Sequence, residues 1–474
     1  MSADAMRRWE SGRVGRPGRR QLTSLLALMT LALTTTSVGP AAALGRAAAS
    51  RAVVSAAPAV VLAVSAPAAA GAGAAFAVRV TARDSGGATA TGYRGAVRFT
   101  STDTRSPVLP ATYRFTAADA GTHLFTGVAL HQSGTCTLTA TDTASGVVVG
   151  TSGPIRVSPG PVARFAVAAP PTAVAGVGFA VQVTAKDAFY NIVTAYRGTV
   201  AFASNDGRAP ELPVAYAFTA GDAGVHLFTG VVLHQSGSRT LTVRDTGTSA
   251  LTGTSSPIAV GAGAVSRFAV DVPVSATAGV PFSITVTAKD PWFNVVTGYR
   301  GTVWSPNSGG AIENSYAFTA ADKGVHTFNG AVLLIGGIYA REIDVYDFAA
   351  PLIMGSGHVF IKAGAPVRVS LEFPLDATAG VRFGFTVTVT DLWSNPAGTY
   401  RGTIGWTSSV SSSGSEFIPN AYSFTGADGA EVTFTPPSGA LFDAPGVYRV
   451  TATDILNPAL TGWEDVVVHA AAGS

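Results

Sequence analysis

The chain has 474 residues, of which 47% are hydrophobic and 12% charged, with 54 Gly, 27 Pro, one Cys and a formal net charge of +3. At roughly 100 to 150 residues per domain, this length predicts about three to five domains. The high hydrophobic and low charged fractions exclude a largely disordered chain, and a single Cys excludes both a disulfide framework and a Cys-based zinc cluster.

The N-terminus has the three-part pattern of a secretory signal peptide, which we predict to span residues 1–43. Six arginines and two acidic residues in the first 21 positions precede an apolar run from Leu22 to Leu33 and a small-residue stretch ending at Ala43. The apolar run would rise only ~18 Å as a helix, short of the ~30 Å hydrocarbon core of a bilayer, which argues against a membrane anchor. Residues 44–56 are predicted to be an Ala-rich linker. We therefore expect an extracellular or cell-surface protein with no membrane span after cleavage.

The positive charge of the chain is concentrated in this leader. Residues 1–43 carry a net charge of +4, so the remainder has a net charge of −1. A nearly neutral chain lacks the excess positive charge typical of nucleic-acid binding, and no nucleic-acid partner is predicted.

Four copies of one unit fill the rest of the chain, and such self-similarity indicates a tandem repeat. The tripeptide Tyr-Arg-Gly recurs with periods of 103, 103 and 101 residues, beginning at Tyr93, Tyr196, Tyr299 and Tyr400. The predicted boundaries of the four units are 57–158, 159–261, 262–363 and 364–474.

Each unit shows the period-2 alternation of β-strands. From Phe179 to Asp187, inward apolar residues alternate with Gln182, Thr184 and Lys186. About seven strands are predicted per unit; in the first unit they span 60–66, 76–83, 93–100, 110–116, 123–130, 135–141 and 148–157. Seven short strands in about 100 residues indicate an all-β chain of four tandem immunoglobulin-like antiparallel β-sandwiches with aliphatic and Phe cores.

The third unit shows a resemblance to a known family. The run from Ala278 to Asp290, followed by Asn294 and by the tripeptide at Tyr299, resembles tandem bacterial immunoglobulin-like repeats of the filamin-like or invasin and intimin-like kind. Those repeats have a similar strand ending in Asp-x-x-x-Asn. The resemblance extends over all four units, and it implies a stalk, adhesin or spacer.

The connections between units are short, which predicts a semi-rigid string. An aromatic residue follows the Asp that ends the second strand in units two to four, where unit one has Ser85-Gly86-Gly87. These aromatics are Phe189, Trp292 and Trp393. They are predicted to face the preceding unit; the alternative is an exposed aromatic platform for a sugar or apolar ligand.

A second repeated feature is the constant ten-residue offset between an Asp and the Arg of each tripeptide. It predicts a hydrogen-bonded or charged pair that braces a loop, and the alternative is an Arg presented to a ligand. The pairs are Asp84 with Arg94, Asp187 with Arg197, Asp290 with Arg300, and Asp391 with Arg401.

Several candidate chemistries are weaker. Asp187 and Asp245, with Asn191, could offer oxygen ligands to calcium, but Asx turns are the preferred interpretation, and no metal or cofactor is predicted. An Asp precedes a His by four residues in three units, yet dispersed copies without a nucleophile predict no catalytic site. Cys136 is expected at the rim of a sandwich.

The sequence as a whole predicts a non-enzymatic exported structural or adhesion protein, a rod of repeats that acts as an extracellular spacer or interaction module. The alternative is a secreted carbohydrate- or protein-binding protein that uses its loop aromatics. The expected partner is an unidentified extracellular protein or polysaccharide.

Overall fold

The structure is a computed structural model that describes residues 57–312, 315–337, 339–409 and 416–471. The predicted signal peptide and Ala-rich linker lie outside these residues. The described residues contain strands and turns, and no helix among them is long and apolar enough to cross a bilayer. The four units form β-sandwiches, which confirms the predicted fold class.

The first sandwich contains ten strands in three sheets, ordered β1-β3-β6, β5-β4-β8-β9 and β2-β10-β7. The strands are β1 (Val61–Ser65), β2 (Ala69–Gly71), β3 (Phe76–Arg83), β4 (Ala96–Ser101), β5 (Tyr113–Arg114), β6 (Thr122–Val128), β7 (Gly134–Cys136), β8 (Leu138–Asp142), β9 (Val149–Thr151) and β10 (Ile155–Ser158).

The second sandwich repeats this arrangement, with sheets β11-β13-β16, β15-β14-β18-β19 and β12-β20-β17. The strands are β11 (Val162–Ala168), β12 (Thr172–Val174), β13 (Phe179–Asp187), β14 (Thr199–Ser204), β15 (Tyr216–Ala217), β16 (Val225–Val231), β17 (Gly237–Arg239), β18 (Leu241–Asp245), β19 (Thr252–Thr254) and β20 (Ile258–Gly261).

The third sandwich has sheets β21-β23-β26 and β22-β28-β27-β24-β25. The strands are β21 (Arg267–Asp271), β22 (Ser275–Thr277), β23 (Phe282–Lys289), β24 (Thr302–Trp304), β25 (Tyr316–Ala317), β26 (Val325–Ala331), β27 (Arg341–Asp347) and β28 (Met354–Lys362).

The fourth sandwich has sheets β29-β31-β35, β30-β38-β37-β32-β34 and the short pair β33-β36. The strands are β29 (Arg368–Glu372), β30 (Ala377–Thr378), β31 (Phe385–Thr390), β32 (Thr403–Ser408), β33 (Glu416–Phe417), β34 (Tyr422–Ser423), β35 (Glu431–Phe434), β36 (Leu441–Phe442), β37 (Gly446–Asp454) and β38 (Thr461–His469).

Each sandwich has its own hydrophobic core. In β13 the inward residues Val181, Val183 and Ala185 are fully buried, as their alternation predicts. The aromatic part of the second core includes Phe165, Phe218 and other rings in edge-to-face contact, such as Phe202 on Phe228 at 4.8 Å.

Proline explains several of the points where strands end that the sequence pattern would continue; the predicted strand 135–141 also divides, into β7 and β8, with no proline between them. The predicted strand 60–66 continues after Pro67 as β2, which leaves the β1 sheet and pairs in parallel with β10. The predicted strand 148–157 breaks into β9 and β10 at Pro154, and Pro257 does the same between β19 and β20. Proline has no N–H to donate to a strand ladder. In β28 and β38, where no proline interrupts, the strand is continuous.

The expected rim position of Cys136 is wrong. Its side chain is 2% exposed and belongs to the first core, with Sγ 3.6 Å from the carbonyl of Gln132. Burial raises the pKa of this thiol, which opposes the disulfide chemistry that an exposed thiol would offer.

Candidate functional site

The loop after β13 is organised by the carboxylate of Asp187. Its Oδ1 accepts the N–H groups of Phe189 at 2.9 Å and Asn191 at 2.8 Å, which is an Asx turn, as expected. Burial alone would raise the pKa of Asp187, but hydrogen bonds from Asn191, Gly160 and other backbone donors lower it below its usual value. The loop therefore contains a buried, charged acceptor.

The second oxygen of the same carboxylate binds the connection between sandwiches. Asp187 Oδ2 accepts the N–H of Gly160 at 2.9 Å and the side-chain amide of Asn191 at 2.7 Å. The carboxylate thus joins the incoming chain to the loop. The later connections match, with Gly263 N–H to Asp290 at 2.9 Å and Gly364 N–H to Asp391 at 2.8 Å.

A buried asparagine crosses each joint. Asn191 donates from Nδ2 to the carbonyl of His131 at 2.7 Å, and its Oδ1 accepts the N–H of Ser133 at 2.9 Å. Both partners belong to the loop between β6 and β7 of the preceding sandwich. We call this pair of bonds the asparagine clamp. It recurs between Asn294 and His234 and Ser236 (2.7 and 2.9 Å), and between Asn395 and Leu334 and Gly336 (2.7 and 2.7 Å).

The predicted loop aromatics lie at the same joints, partly buried against the preceding sandwich. Phe189 stacks on His131 with ring centroids 4.1 Å apart, and Trp292 stacks on His234 at 4.8 Å. Trp393 packs against the third core. Their role in joint stability remains a prediction.

A glycine of the preceding sandwich makes room for each ring. A Cβ at Gly176 would lie 1.8 Å from the Trp292 ring, and one at Gly279 would lie 1.7 Å from Trp393. A Cβ at Gly73 would likewise collide with the Phe189 ring. The matching residue of the fourth sandwich, Gly380, has no atom within 4 Å of a Cβ placed there. The ring and the glycine therefore form a matched contact at each of the three joints.

The outer sandwiches differ at the positions that form the joints. In the first sandwich Ala88 replaces the clamp asparagine and Gly86 replaces the aromatic. In the fourth sandwich, Pro445 occupies the position equivalent to Ser133 of the first. Proline has no N–H, so it cannot make the bond that Ser133 donates to the clamp asparagine. These replacements coincide with faces that do not meet another sandwich among the described residues.

The predicted Asp–Arg pairs are wrong. Each Arg turns back on its own loop; Arg197 Nη1 donates to the carbonyls of Thr194 at 2.9 Å and Tyr196 at 2.6 Å, while Asp187 is occupied by N–H donors. The other Arg residues do the same, and among the described residues no ion pair joins the two groups. The predicted pairs that the structure does not form are Asp84–Arg94, Asp187–Arg197, Asp290–Arg300 and Asp391–Arg401.

The tripeptide has a different role, which the sequence did not reveal. Tyr299 donates its hydroxyl to Asp347 at 2.5 Å, and Tyr400 donates to Asp454 at 2.5 Å; Tyr93 and Tyr196 bind Asp142 and Asp245 likewise. Burial and the adjacent carboxylate raise the pKa of each tyrosine. A Cβ on the tripeptide glycine would strike this pair, at 2.2 Å from Asp245 in the case of Gly198. Tyr, Arg and Gly are therefore all structural.

These bonds leave little coordination capacity for calcium. Asp187 accepts four hydrogen bonds and Asp245 is bound to Tyr196 and to loop N–H groups. Within the described ranges, no group of three or more His, Cys, Asp or Glu side chains is placed to hold a metal ion.

The Asp and His side chains that lie four residues apart in three units are in contact, as part of an aromatic cluster. His123 Nδ1 lies 2.7 Å from Asp119 Oδ1, and its ring stacks on Tyr113 at 3.8 Å. Asp119 also accepts the hydroxyl and the N–H of Thr116. Hydrogen bonds from Thr116 and His123 lower the pKa of Asp119 despite partial desolvation. The cluster recurs around His226 and His326 and closes one side of each core.

The chain matches several solved structures at low sequence identity. The Escherichia coli adhesin FdeC has 15% identity and a TM-score of 0.32, over 63% of this chain and 96% of that one. Invasin, a bacterial integrin-binding protein, has 16% identity and a TM-score of 0.26 over 86% and 78% of the two chains. The ICAM-5 ectodomain fragment has 12% identity and a TM-score of 0.25 over 86% and 99%.

These matches include two bacterial proteins, an adhesin and an integrin-binding protein, and one ectodomain fragment. At these identities the likeness concerns the fold alone. No protein-family model matches the chain, and no curated protein matches it.

Proposed function

We propose that this chain is an exported, non-enzymatic structural or adhesion protein whose four sandwiches act as an extracellular spacer with stiff joints. The repeated joint carries the proposal. At all three joints a buried carboxylate binds the connecting chain, an asparagine clamps the preceding loop and an aromatic ring lies against a glycine.

Stiffness follows from the physical character of these contacts. The clamp asparagines are only 2%, 3% and 5% exposed, so opening a joint would expose or orphan polar groups that now have partners. Each such hydrogen bond contributes a net of about 0.5–1.5 kcal/mol relative to the same groups bonded to water, and more where the groups stay buried without a partner. A tandem array needs such contacts only if the relative placement of its units matters, which is the requirement of a spacer.

The loop aromatics face the joints between sandwiches. Phe189, Trp292 and Trp393 lie partly buried against the preceding sandwich; Phe189 stacks on His131, Trp292 stacks on His234, and Trp393 packs against the third core. Their position favours the spacer over the binding protein that uses these three rings.

Export is tested by expressing the full chain with its own leader in a bacterial host and following it by antibody in the cell, surface and medium fractions. The proposal expects a shortened chain outside the cytoplasm, and deletion of residues 1–43 should retain the chain inside. A full-length chain that stays in the cytoplasm would contradict export.

A further inference from the structure

The second and third sandwiches carry the same group of partly to fully exposed residues beside their joints. We call it the cationic–aromatic patch; it comprises Arg164, Lys186 and Tyr190 in the second sandwich, and Arg267, Lys289 and Phe293 in the third. Each arginine lies over the ring of its patch, at 4.5 Å for Tyr190 and 4.6 Å for Phe293. Both rings are 57% exposed.

The patch works against the stability of its own sandwich in two ways. Tyr190 and Phe293 have φ of 65° and 63°, a left-handed conformation that is unfavourable for a bulky side chain. Arg164 also lies directly opposite Lys186 in the strand register, as Arg267 does opposite Lys289. Like charges directly opposite each other destabilise a sheet.

The fold does not need the patch, because the outer sandwiches lack it. In the first, Gly87 replaces the aromatic and Val61 lies opposite Arg83. In the fourth, Ser394 replaces the aromatic and Arg368 lies opposite Thr390. Residues that violate local rules, and that other copies of the same fold lack, are typical of functional sites.

The positive charges of the patch are available to a ligand. The ion pairs among the described residues involve none of Arg164, Lys186, Arg267 and Lys289. Arg164 Nη1 donates to the Tyr190 hydroxyl at 2.8 Å, a neutral partner that leaves the positive charge without a carboxylate. A further arginine from the preceding sandwich reaches each neighbouring loop: Arg105 donates to the Phe189 carbonyl, and Arg208 donates to Asn294 Oδ1 at 3.0 Å. Each patch therefore combines uncompensated cations with an exposed ring.

We propose that the two patches bind successive segments of one polyanionic polysaccharide. Arginine and lysine bind carboxylate or sulfate groups, and the exposed ring offers an apolar face to a sugar ring. Two patches of nearly the same chemistry, separated by one repeat, suit a polymer with a repeating anionic unit better than a folded protein with a unique surface. Linkage of two weak sites along one polymer also raises the overall affinity. This inference goes beyond the spacer function and does not depend on export.

The test uses the full chain, so that the basic leader is the same in every variant, and measures Kd by calorimetry for size-fractionated heparin and for hyaluronate. The main variant combines Lys186→Thr and Lys289→Thr. Threonine is the residue that the fourth sandwich has at this position, Thr390. A second variant adds Tyr190→Ser and Phe293→Ser, because the fourth sandwich has serine, Ser394, at the position of the ring. The main variant should keep or raise the Tm, because it removes the like-charge pairs. The second variant also loses the Arg164–Tyr190 hydrogen bond and the arginine–ring contacts, so its Tm is measured to verify that it is folded.

The wild type should bind at least one of the two polysaccharides, with longer chains binding more tightly than short ones. The four-residue variant should weaken binding about tenfold or more, since each patch loses charge and ring. A matched control is Arg98→Thr with Arg244→Thr, which removes the same charge from exposed strand positions in the other sheets; its Kd should be unchanged.

Four results would overturn the inference. The wild type could fail to bind both polysaccharides while binding an acidic folded protein. The four-residue variant could bind as tightly as the wild type. The control could lose as much affinity as the patch variants. Duplex DNA could also bind as tightly as the polysaccharides, with a Kd that the patch substitutions do not change; binding would then depend on net charge alone.

Discussion

Asn191 of the second sandwich donates its side-chain amide to the carbonyl of His131 in the first, across 60 positions of sequence and a distance of 2.7 Å. The same amide also donates to Asp187 at 2.7 Å. One side chain therefore links the preceding sandwich to the carboxylate that binds the connecting chain. Because this relation recurs at each joint, perturbing it should uncouple neighbours without unfolding them.

Removal of the second clamp should weaken the coupling of the second and third sandwiches. Asn294→Ala deletes the bonds to His234 and Ser236 and leaves a buried carbonyl and N–H without partners, which should cost about 1–3 kcal/mol of joint stability. Denaturant unfolding should become less cooperative between sandwiches. Asn205→Ala removes a bond to the Thr240 N–H within one sandwich and serves as the control. Equal effects of the two changes would refute a special role for the clamp.

The glycine under each ring offers a test with a built-in control. Gly176→Ala and Gly380→Ala introduce a Cβ at almost the same φ, 78° and 75°, but only the first meets a tryptophan. Both should cost about 1 kcal/mol in backbone strain. Gly176→Ala should additionally displace Trp292 and change its fluorescence. If Gly380→Ala proved as damaging as Gly176→Ala, the ring contact would contribute nothing.

The joints should loosen in acid. The pKa of Asp187 and Asp391 is lowered in the folded state by their hydrogen bonds, so their contribution is present above the unfolded value of about 3.9 and is lost as the pH falls through the folded value. Scattering profiles recorded from pH 7 to pH 2 should show greater freedom between sandwiches below about pH 4. Asp187→Asn should remove part of this dependence; an unchanged acid transition in this variant would argue against the carboxylate.

The tyrosine of the tripeptide should stabilise its own sandwich. Tyr299→Phe removes the 2.5 Å bond to Asp347, whose side chain is 5% exposed, and should lower stability by about 1–3 kcal/mol. Tyr339→Phe in the same sandwich changes a residue that is 79% exposed and should be neutral. Calorimetric melting of both variants measures the difference, and equal Tm values would contradict the role assigned to Tyr299.

Local pattern predicted the long strands but neither the breaks within others nor the partners across the fold. Alternation from Phe179 to Asp187 predicted β13 with the bounds that the structure has, because period 2 is a property of neighbouring residues. The bond from Tyr196 to Asp245 joins residues 49 apart across the fold, and no local signal marks it.

The Asp–Arg error has a related cause. The offset between Asp187 and Arg197, like that between the equivalent residues of the other units, is constant because the unit is repeated. It does not show that the two side chains are in contact. The useful signals were departures from the repeat: Ala88 in place of the clamp asparagine and Gly86 in place of the aromatic, both in the one unit that has no described sandwich before it. Proline positions such as Pro154 likewise explained the broken strands better than alternation did.

Distances between spin labels on neighbouring sandwiches test joint stiffness most directly. Labels at Arg98→Cys and Arg244→Cys, in a Cys136→Ala background, report on the first joint from exposed strand positions. The joint described here predicts one narrow distance distribution, which broadens when Asn191 and Phe189 are both changed to Ala. A broad distribution in the unperturbed joint, or a narrow one that the double change leaves intact, would contradict it.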